Sequence, residues 1–111
     1  MPEFAYLRFI NMLSAIRSIL PSLDTSEERL LNMVMLAWQQ NNTVTVTQAM
    51  ANTPDLSPAT VHRKIQTLVS KEMLIIRSDA EDARYKYLEP TRQAIDYFEK
   101  LSICMRQASA E

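Results

Sequence analysis

The segment Ser57–Lys71 reads Ser-Pro-Ala-Thr-Val-His-Arg-Lys-Ile-Gln-Thr-Leu-Val-Ser-Lys and admits few structures. Ser57 suits an N-cap, its hydroxyl accepting from an orphan N–H of the first turn. Pro58 suits the first helical position, where no N–H is needed. Val61, Ile65, Leu68 and Val69 recur at helical spacing and mark one buried stripe. The opposite side carries Thr60, His62, Arg63, Lys64, Gln66 and Thr67, all polar or cationic and none acidic. Two readings fit this pattern: a solvated amphipathic helix, or a helix whose open side suits the major groove of DNA.

Charge along the chain is segregated. The net charge is −1, so no global basic field draws nucleic acid to the protein. From Ser57 to Arg77, however, Arg63, Lys64, Lys71 and Arg77 stand against Glu72 alone, a balance of +3. The first 56 residues hold Arg8, Arg17 and Arg29 against Glu3, Asp24, Glu27, Glu28 and Asp55, a balance of −2. The positive part coincides with the candidate helix. Glycine is absent, which excludes a phosphate-cradling glycine-rich loop and with it the common nucleotide-binding motifs. A single cysteine, Cys104, rules out an intrachain disulfide framework and makes a reducing, cytoplasmic setting the default. No signal-peptide layout and no membrane-length apolar run is seen.

The rest of the chain reads as one domain, 1–111, mainly α (α+β). Tyr6, Phe9, Leu13, Ile16 and Leu20 alternate spacings of three and four, flanked by Ala5, Met12 and Ile19, which predicts a helix over Pro2–Leu20 ended by Pro21. That much apolar surface requires a cover, either the domain's own core or a partner chain. A second helix is expected over Leu23–Asn41, with Thr25 and Glu28 as a capping box and Leu30, Leu31, Val34, Ala37 and Trp38 buried. Thr43–Val46 alternates as a short strand, and Thr47 caps a short helix, Gln48–Asn52. Thr53-Pro54-Asp55-Leu56 forms a turn before Ser57. Two helices joined by a tight turn, the second cationic on its open side, make a helix-turn-helix. Met73–Arg77 and Arg84–Leu88 then read as a β-hairpin around the acidic loop Ser78–Ala83, so the layout over 43–90 is a winged helix-turn-helix. Thr91 opens a last helix, to about Ala108, in which Ala94, Phe98, Leu101, Met105 and Ala108 repeat the four–three spacing.

The run Leu74–Thr91 resembles the wing of the MarR family of bacterial transcription regulators: a strand ending in Arg77, an Asp-rich loop with Asp79 and an Asp-x-Arg formed by Asp82 and Arg84, a return strand, and Thr91 opening the next helix. Thr47–Leu68, with Met50-Ala51 and Thr60-Val61, is similar to that family's helix-turn-helix. The resemblance implies a homodimeric, DNA-binding transcription regulator, a repressor, on a pseudo-palindromic site. Its terminal helices, 2–20 and 91–108, would form the dimer interface. By position it implies Ser57, Thr60, His62, Arg63 and Lys64 at the major groove and Arg84 in the minor groove, with Asp82 orienting it. In many members a small aromatic acid or an oxidised cysteine releases the DNA, so a small-molecule effector is a further expected partner. Glu72 and Ala94 stand where the family commonly has glycine, and the chain is shorter than a typical member.

Weighed one at a time, Arg63 and Lys64 are the foremost candidates for direct contact, since Arg on guanine is the commonest specific pairing. Ser57, Thr60 and Thr67 suit phosphate contacts that position the helix. His62 is a donor to phosphate or base, or an idle surface residue. Arg77 and Lys86 are phosphate contacts or edge-strand charges, and Arg84 pairs either with a narrow minor groove or with Asp82 in its own loop. The loop acids Asp79, Glu81 and Asp82 favour the alternative, a winged-helix module that binds protein instead of DNA. Cys104 reads as a small buried apolar residue or, with Lys100 four residues before it, a redox switch. One His and one Cys do not supply a zinc site, and no nucleophile–base pair suggests catalysis. Binding to DNA is expected to weaken steeply with salt. No cofactor is expected.

Overall fold

The computed structural model describes residues 2–110; Met1 and Glu111, the ends of the expected 1–111 span, lie outside the described residues. In chain order the elements are α1 (Ala5–Ile16), α2 (Thr25–Gln39), β1 (Val44–Thr45), α3 (Val46–Ala51), α4 (Pro58–Ser70), β2 (Leu74–Ser78), β3 (Lys86–Pro90) and α5 (Arg92–Ser109), with a 3-10 turn at Arg17–Ile19. They form two compact units: Leu23–Ala94, and the terminal segments Met1–Ser22 with Ile95–Glu111.

The unit Leu23–Ala94 is a winged helix. Its three-stranded antiparallel sheet has the order β1-β3-β2. Leu88 on the central strand lies opposite Val44 on one side and Ile76 on the other, and Tyr87 lies opposite Thr45 and Arg77. α2 packs on α4 and β3, and α3 packs on α4 and β1. Leu30, Leu31, Val34, Ala49, Val61, Ile65, Leu68, Met73, Leu74 and Leu88 fill the core. The spacing of Val61, Ile65 and Leu68 thus buries the stripe expected of α4, while Val69 is only half-buried.

Several boundaries move by one or two residues. α2 is capped by Asp24 and Glu27, not by Thr25 and Glu28. Each of Asp24 and Glu27 accepts the other's backbone N–H at 2.8 Å. Both frames satisfy the same sequence pattern, and the one taken also lets Glu27 meet a lysine from α4. α3 is capped by Thr45, not Thr47, through a second reciprocal box with Gln48. Trp38, expected in the core, is 47% exposed, because the stripe of α2 runs out past Val34 as the helix reaches the edge of the unit. β3 starts at Lys86, since Tyr85 is held in the wing turn by Asp79 N–H to Tyr85 O at 2.9 Å and Tyr85 N–H to Asp82 O at 3.1 Å.

With no glycine available, two helices end on other residues in the left-handed region, Asn41 at φ 60° and Glu72 at φ 61°. After α4, the Glu72 N–H reaches Val69 O at 3.0 Å and the Met73 N–H reaches Leu68 O at 2.9 Å. This is a Schellman closure, which satisfies two orphan carbonyls and drops Met73 into the core. Thr91 then ties the exit down. Its hydroxyl donates to Glu72 O at 2.5 Å and accepts the Ala94 N–H at 3.1 Å, capping α5 as expected.

In the unit of terminal segments, α1 is shorter than the expected Pro2–Leu20. Phe4 is extended and lacks a side-chain cap, Arg17–Ile19 tightens to 3-10, and Leu20 is extended at φ −97°, ψ 149°. The last follows from Pro21, which disfavours helix in the residue before it. Leu13 is buried, but Tyr6, Leu7, Ile10 and Ile19 are exposed, Tyr6 by 69%. On α5 the buried residues are Ala94, Tyr97, Cys104 and Ala108; of the expected Ala94–Phe98–Leu101–Met105–Ala108 frame the two alanines are buried, Phe98 and Leu101 are half-buried and Met105 is exposed. The same four–three spacing fits both frames through Leu101. Tyr97 and Phe98 meet edge to face at 5.4 Å.

Candidate nucleic-acid interface

The outward face of α4 follows from its buried one. With Val61, Ile65 and Leu68 turned to the core, His62, Arg63 and Gln66 fall on the opposite side and are exposed. Among the described residues no ion pair engages Arg63, leaving its five N–H donors to solvent. Ser57 caps the helix as expected: its Oγ accepts the Thr60 N–H at 3.1 Å and donates to Thr60 Oγ1 at 2.8 Å. Thr67 bonds back to Arg63 O at 3.0 Å. The hydroxyls of Ser57, Thr60 and Thr67 thus all have partners on their own helix.

Lys64 does not share the outward face. It sits at the flank of the core stripe, its side chain 25% exposed, with Nζ on the Asp24 carboxylate at the start of α2. The lysine and the Glu27 N–H hold the Asp24 carboxyl below its usual range. Two turns on, Lys71 Nζ lies 3.1 Å from both carboxylate oxygens of Glu27, a side chain only 4% exposed. Asp24, Glu27 and Lys71 were not legible as part of this surface. Lys64–Asp24 spans 40 residues and Lys71–Glu27 spans 44, beyond any local pattern. The only available signal was that Asp24 and Glu27 also fit a capping box.

The wing is built on Asp79 and Asp82. Asp79 Oδ1 accepts the N–H groups of Glu81 at 2.8 Å and Asp82 at 3.2 Å, and its other oxygen accepts the Tyr87 hydroxyl at 3.1 Å. These bonds hold the Asp79 carboxyl below its usual range, and the one to Tyr87 raises that phenol above its own. Asp82 takes the Arg84 guanidinium in a fork, Nε at 3.0 and 3.2 Å and Nη2 at 2.7 Å, and also its backbone N–H at 3.0 Å. The fork holds the Asp82 carboxyl down and the guanidinium up. Both sequence readings of Arg84 hold at once: it is paired with Asp82, yet 87% of its side chain is exposed. Arg77 pairs with Glu89 at 3.0 Å, and Lys86 donates to Ser78 at 2.7 Å. An open cleft of about 420 Å³ runs beside the wing, lined by Thr45, Val46, Thr47, Gln48, Arg84, Tyr85 and Lys86.

Among the described residues no group of three or more His, Cys, Asp or Glu side chains could hold a metal ion, and no helix is long and apolar enough to cross a membrane. Cys104 is a buried free thiol.

Neither a protein-family model nor a curated protein matches the sequence. Solved structures do match the fold. A DNA complex of MepR from Staphylococcus aureus is 16% identical at a TM-score of 0.69, covering 92% of this chain and 76% of that one. The transcriptional regulator Tm0710 of Thermotoga maritima is 14% identical at a TM-score of 0.70, covering 92% and 67%. The adhesin competence repressor of Streptococcus pyogenes is 22% identical at a TM-score of 0.59, covering 92% and 72%. This chain therefore has the winged helix-turn-helix fold of the MarR-like transcription regulators.

Proposed function

We propose that the protein is a sequence-specific, DNA-binding transcription regulator that acts as a homodimeric repressor. The observation that carries the reading is the outward row of α4, where Arg63 stands exposed and unengaged beside His62 and Gln66 on a helix fixed by its buried stripe. A rigid helix with a free guanidinium suits bidentate contact to guanine O6 and N7 in a major groove. The wing supports it with Arg84, oriented by its fork on Asp82, exposed, and suited to a narrow minor groove. Ser57, Thr60 and Thr67 supply phosphate contacts by donating their hydroxyl protons to phosphate oxygens, Ser57 and Thr67 turning theirs from the partners they hold within the helix. The exposed apolar residues of α1 and α5 favour pairing of the terminal helices between two copies, giving a pseudo-palindromic site with half-sites ~34 Å apart.

The test is fluorescence anisotropy on the DNA upstream of the protein's own gene. Arg63→Ala is expected to weaken binding by about 10- to 150-fold and to relax the preference at one base pair per half-site. Binding unaltered by Arg63→Ala and by Arg84→Ala together contradicts the proposal.

One observation favours a second reading, a module that binds protein. Three cations expected at the interface, Lys64, Arg77 and Arg84, are paired with the chain's own carboxylates. A protein partner that competes for the α4 face, with no DNA binding at low salt, would select that reading.

A further inference from the structure

Lys64 of α4 and Lys71, the residue that caps its C-terminus, are turned toward α2. Lys64 and Lys71 lie seven residues apart, two turns along one flank of the helix and ~10 Å apart along its axis. Each takes one carboxylate of a single capping box, Lys64 that of Asp24 and Lys71 that of Glu27. Asp24 and Glu27 are bonded to each other through their backbone N–H groups. The two carboxylates are therefore fixed before either lysine arrives, and the two lysines meet a preformed pair of anchors. A helix held at one point can pivot about it. Held at two points a full heptad apart, it is restrained against both roll and axial shift. The apolar stripe fixes which face of α4 turns to the core, and the two ion pairs add anchors along its flank, one near the middle of the helix and one at its end.

We infer that Lys64 and Lys71 are positioning residues: clamped to the Asp24–Glu27 box, they set the roll and axial register of α4, and so the direction in which Arg63 points. Lys64 then contributes to recognition without touching DNA. The inference rests on the DNA-binding reading for its functional arm only; its structural arm stands in the free protein.

Asp24→Asn removes the charge that Lys64 grips but keeps a residue that caps helices well. Lys64→Gln removes the other partner. The two single variants, the double variant and Arg63→Ala are compared by DNA affinity across a salt series. Each single change at the clamp is expected to weaken specific binding about 5- to 20-fold, the double variant to be no weaker than the singles, and the salt slope to stay as in the wild type. A direct phosphate contact by Lys64 behaves differently. Lys64→Gln would then lower the slope by about one, and Asp24→Asn would leave affinity unchanged or raise it by freeing the lysine; that pattern overturns the inference. In the free protein, Lys64→Gln is expected to raise the Asp24 titration part of the way toward its ordinary range, the Glu27 N–H still holding it down, and to alter the residual dipolar couplings of the α4 amides relative to those of α2. Unaltered couplings overturn the inference whether or not DNA binds. If Arg63→Ala binds like the wild type while the couplings of α4 shift in Lys64→Gln, the DNA reading fails and the clamp stands.

Discussion

Glu72→Gly is expected to stabilise the protein, a result that a substitution removing a whole side chain rarely gives. Glu72 occupies the position after the α4 cap with φ 61°, a region in which a Cβ crowds the carbonyl oxygen. That conformation costs an L-residue about 1–2 kcal/mol, which glycine does not incur. Glycine loses more freedom on folding, about 0.4–1 kcal/mol. The Glu72 side chain is exposed and, among the described residues, makes no ion pair, so its removal forfeits little. The bonds that shape the exit, from the Glu72 N–H to Val69 O and from the Thr91 hydroxyl to Glu72 O, are made by the backbone of residue 72 and survive. The difference leaves about 0.5–1 kcal/mol of added stability. In urea unfolding, the midpoint should rise with the slope unchanged, and thermal melting should shift upward by about 2–6 °C. Glu72→Ala keeps the Cβ and should lie within about 0.5 kcal/mol of the wild type. If glycine and alanine at 72 prove equal, or glycine lowers the midpoint, the left-handed exit of α4 is not where the structure puts it.

The wing should be indifferent to pH through the neutral range. Asp79 and Asp82 titrate below the ordinary carboxylate value of 3.8 when folded, so their bonds add stability above that value and lose it only as pH falls through the lowered folded values. Amide shifts of Glu81, Asp82 and Arg84 are therefore expected to be flat from pH 8 down to about 5; a titration midpoint inside that window would contradict the bonding. Leu7→Glu with Ile10→Glu, both at exposed positions of α1, should reduce the sedimentation mass from dimer to monomer while leaving helicity intact; a dimer that survives both charges removes the terminal-helix interface. Trp38, the single tryptophan, should be readily quenched by acrylamide, and protection of its emission would show that the end of α2 is covered in solution.

The winged helix was legible because its signals are local. Ser57-Pro58 announces a helix start, Val61, Ile65 and Leu68 give its face, and Thr91 sits where a cap is needed. All of these act within one or two turns, where spacing determines geometry. Cap frames were less secure, since Asp24–Glu27 and Thr25–Glu28 satisfy one rule equally. The choice between them depends on Lys64 and Lys71, brought up from 40 and 44 residues away. Composition counted Lys64 and Arg77 as open cations; folding closes each on an acid, Arg77 across the hairpin, while the pairing of Arg84 with Asp82 two residues back was one of the two readings its sequence offered. Trp38 was misread because helical periodicity says which way a side chain points but not where the neighbouring element stops.

These internal pairings bear on how fast the protein finds its target. A duplex approaching from a distance meets ion pairs whose fields cancel within a few ångströms, so little long-range attraction guides the encounter. Association should proceed near the unsteered ~10⁵–10⁶ M⁻¹s⁻¹, so that the steep salt dependence expected of binding falls on dissociation. Discrimination between sites would then reside almost wholly in how long each complex lasts, with Arg63 and its groove partners setting the lifetime.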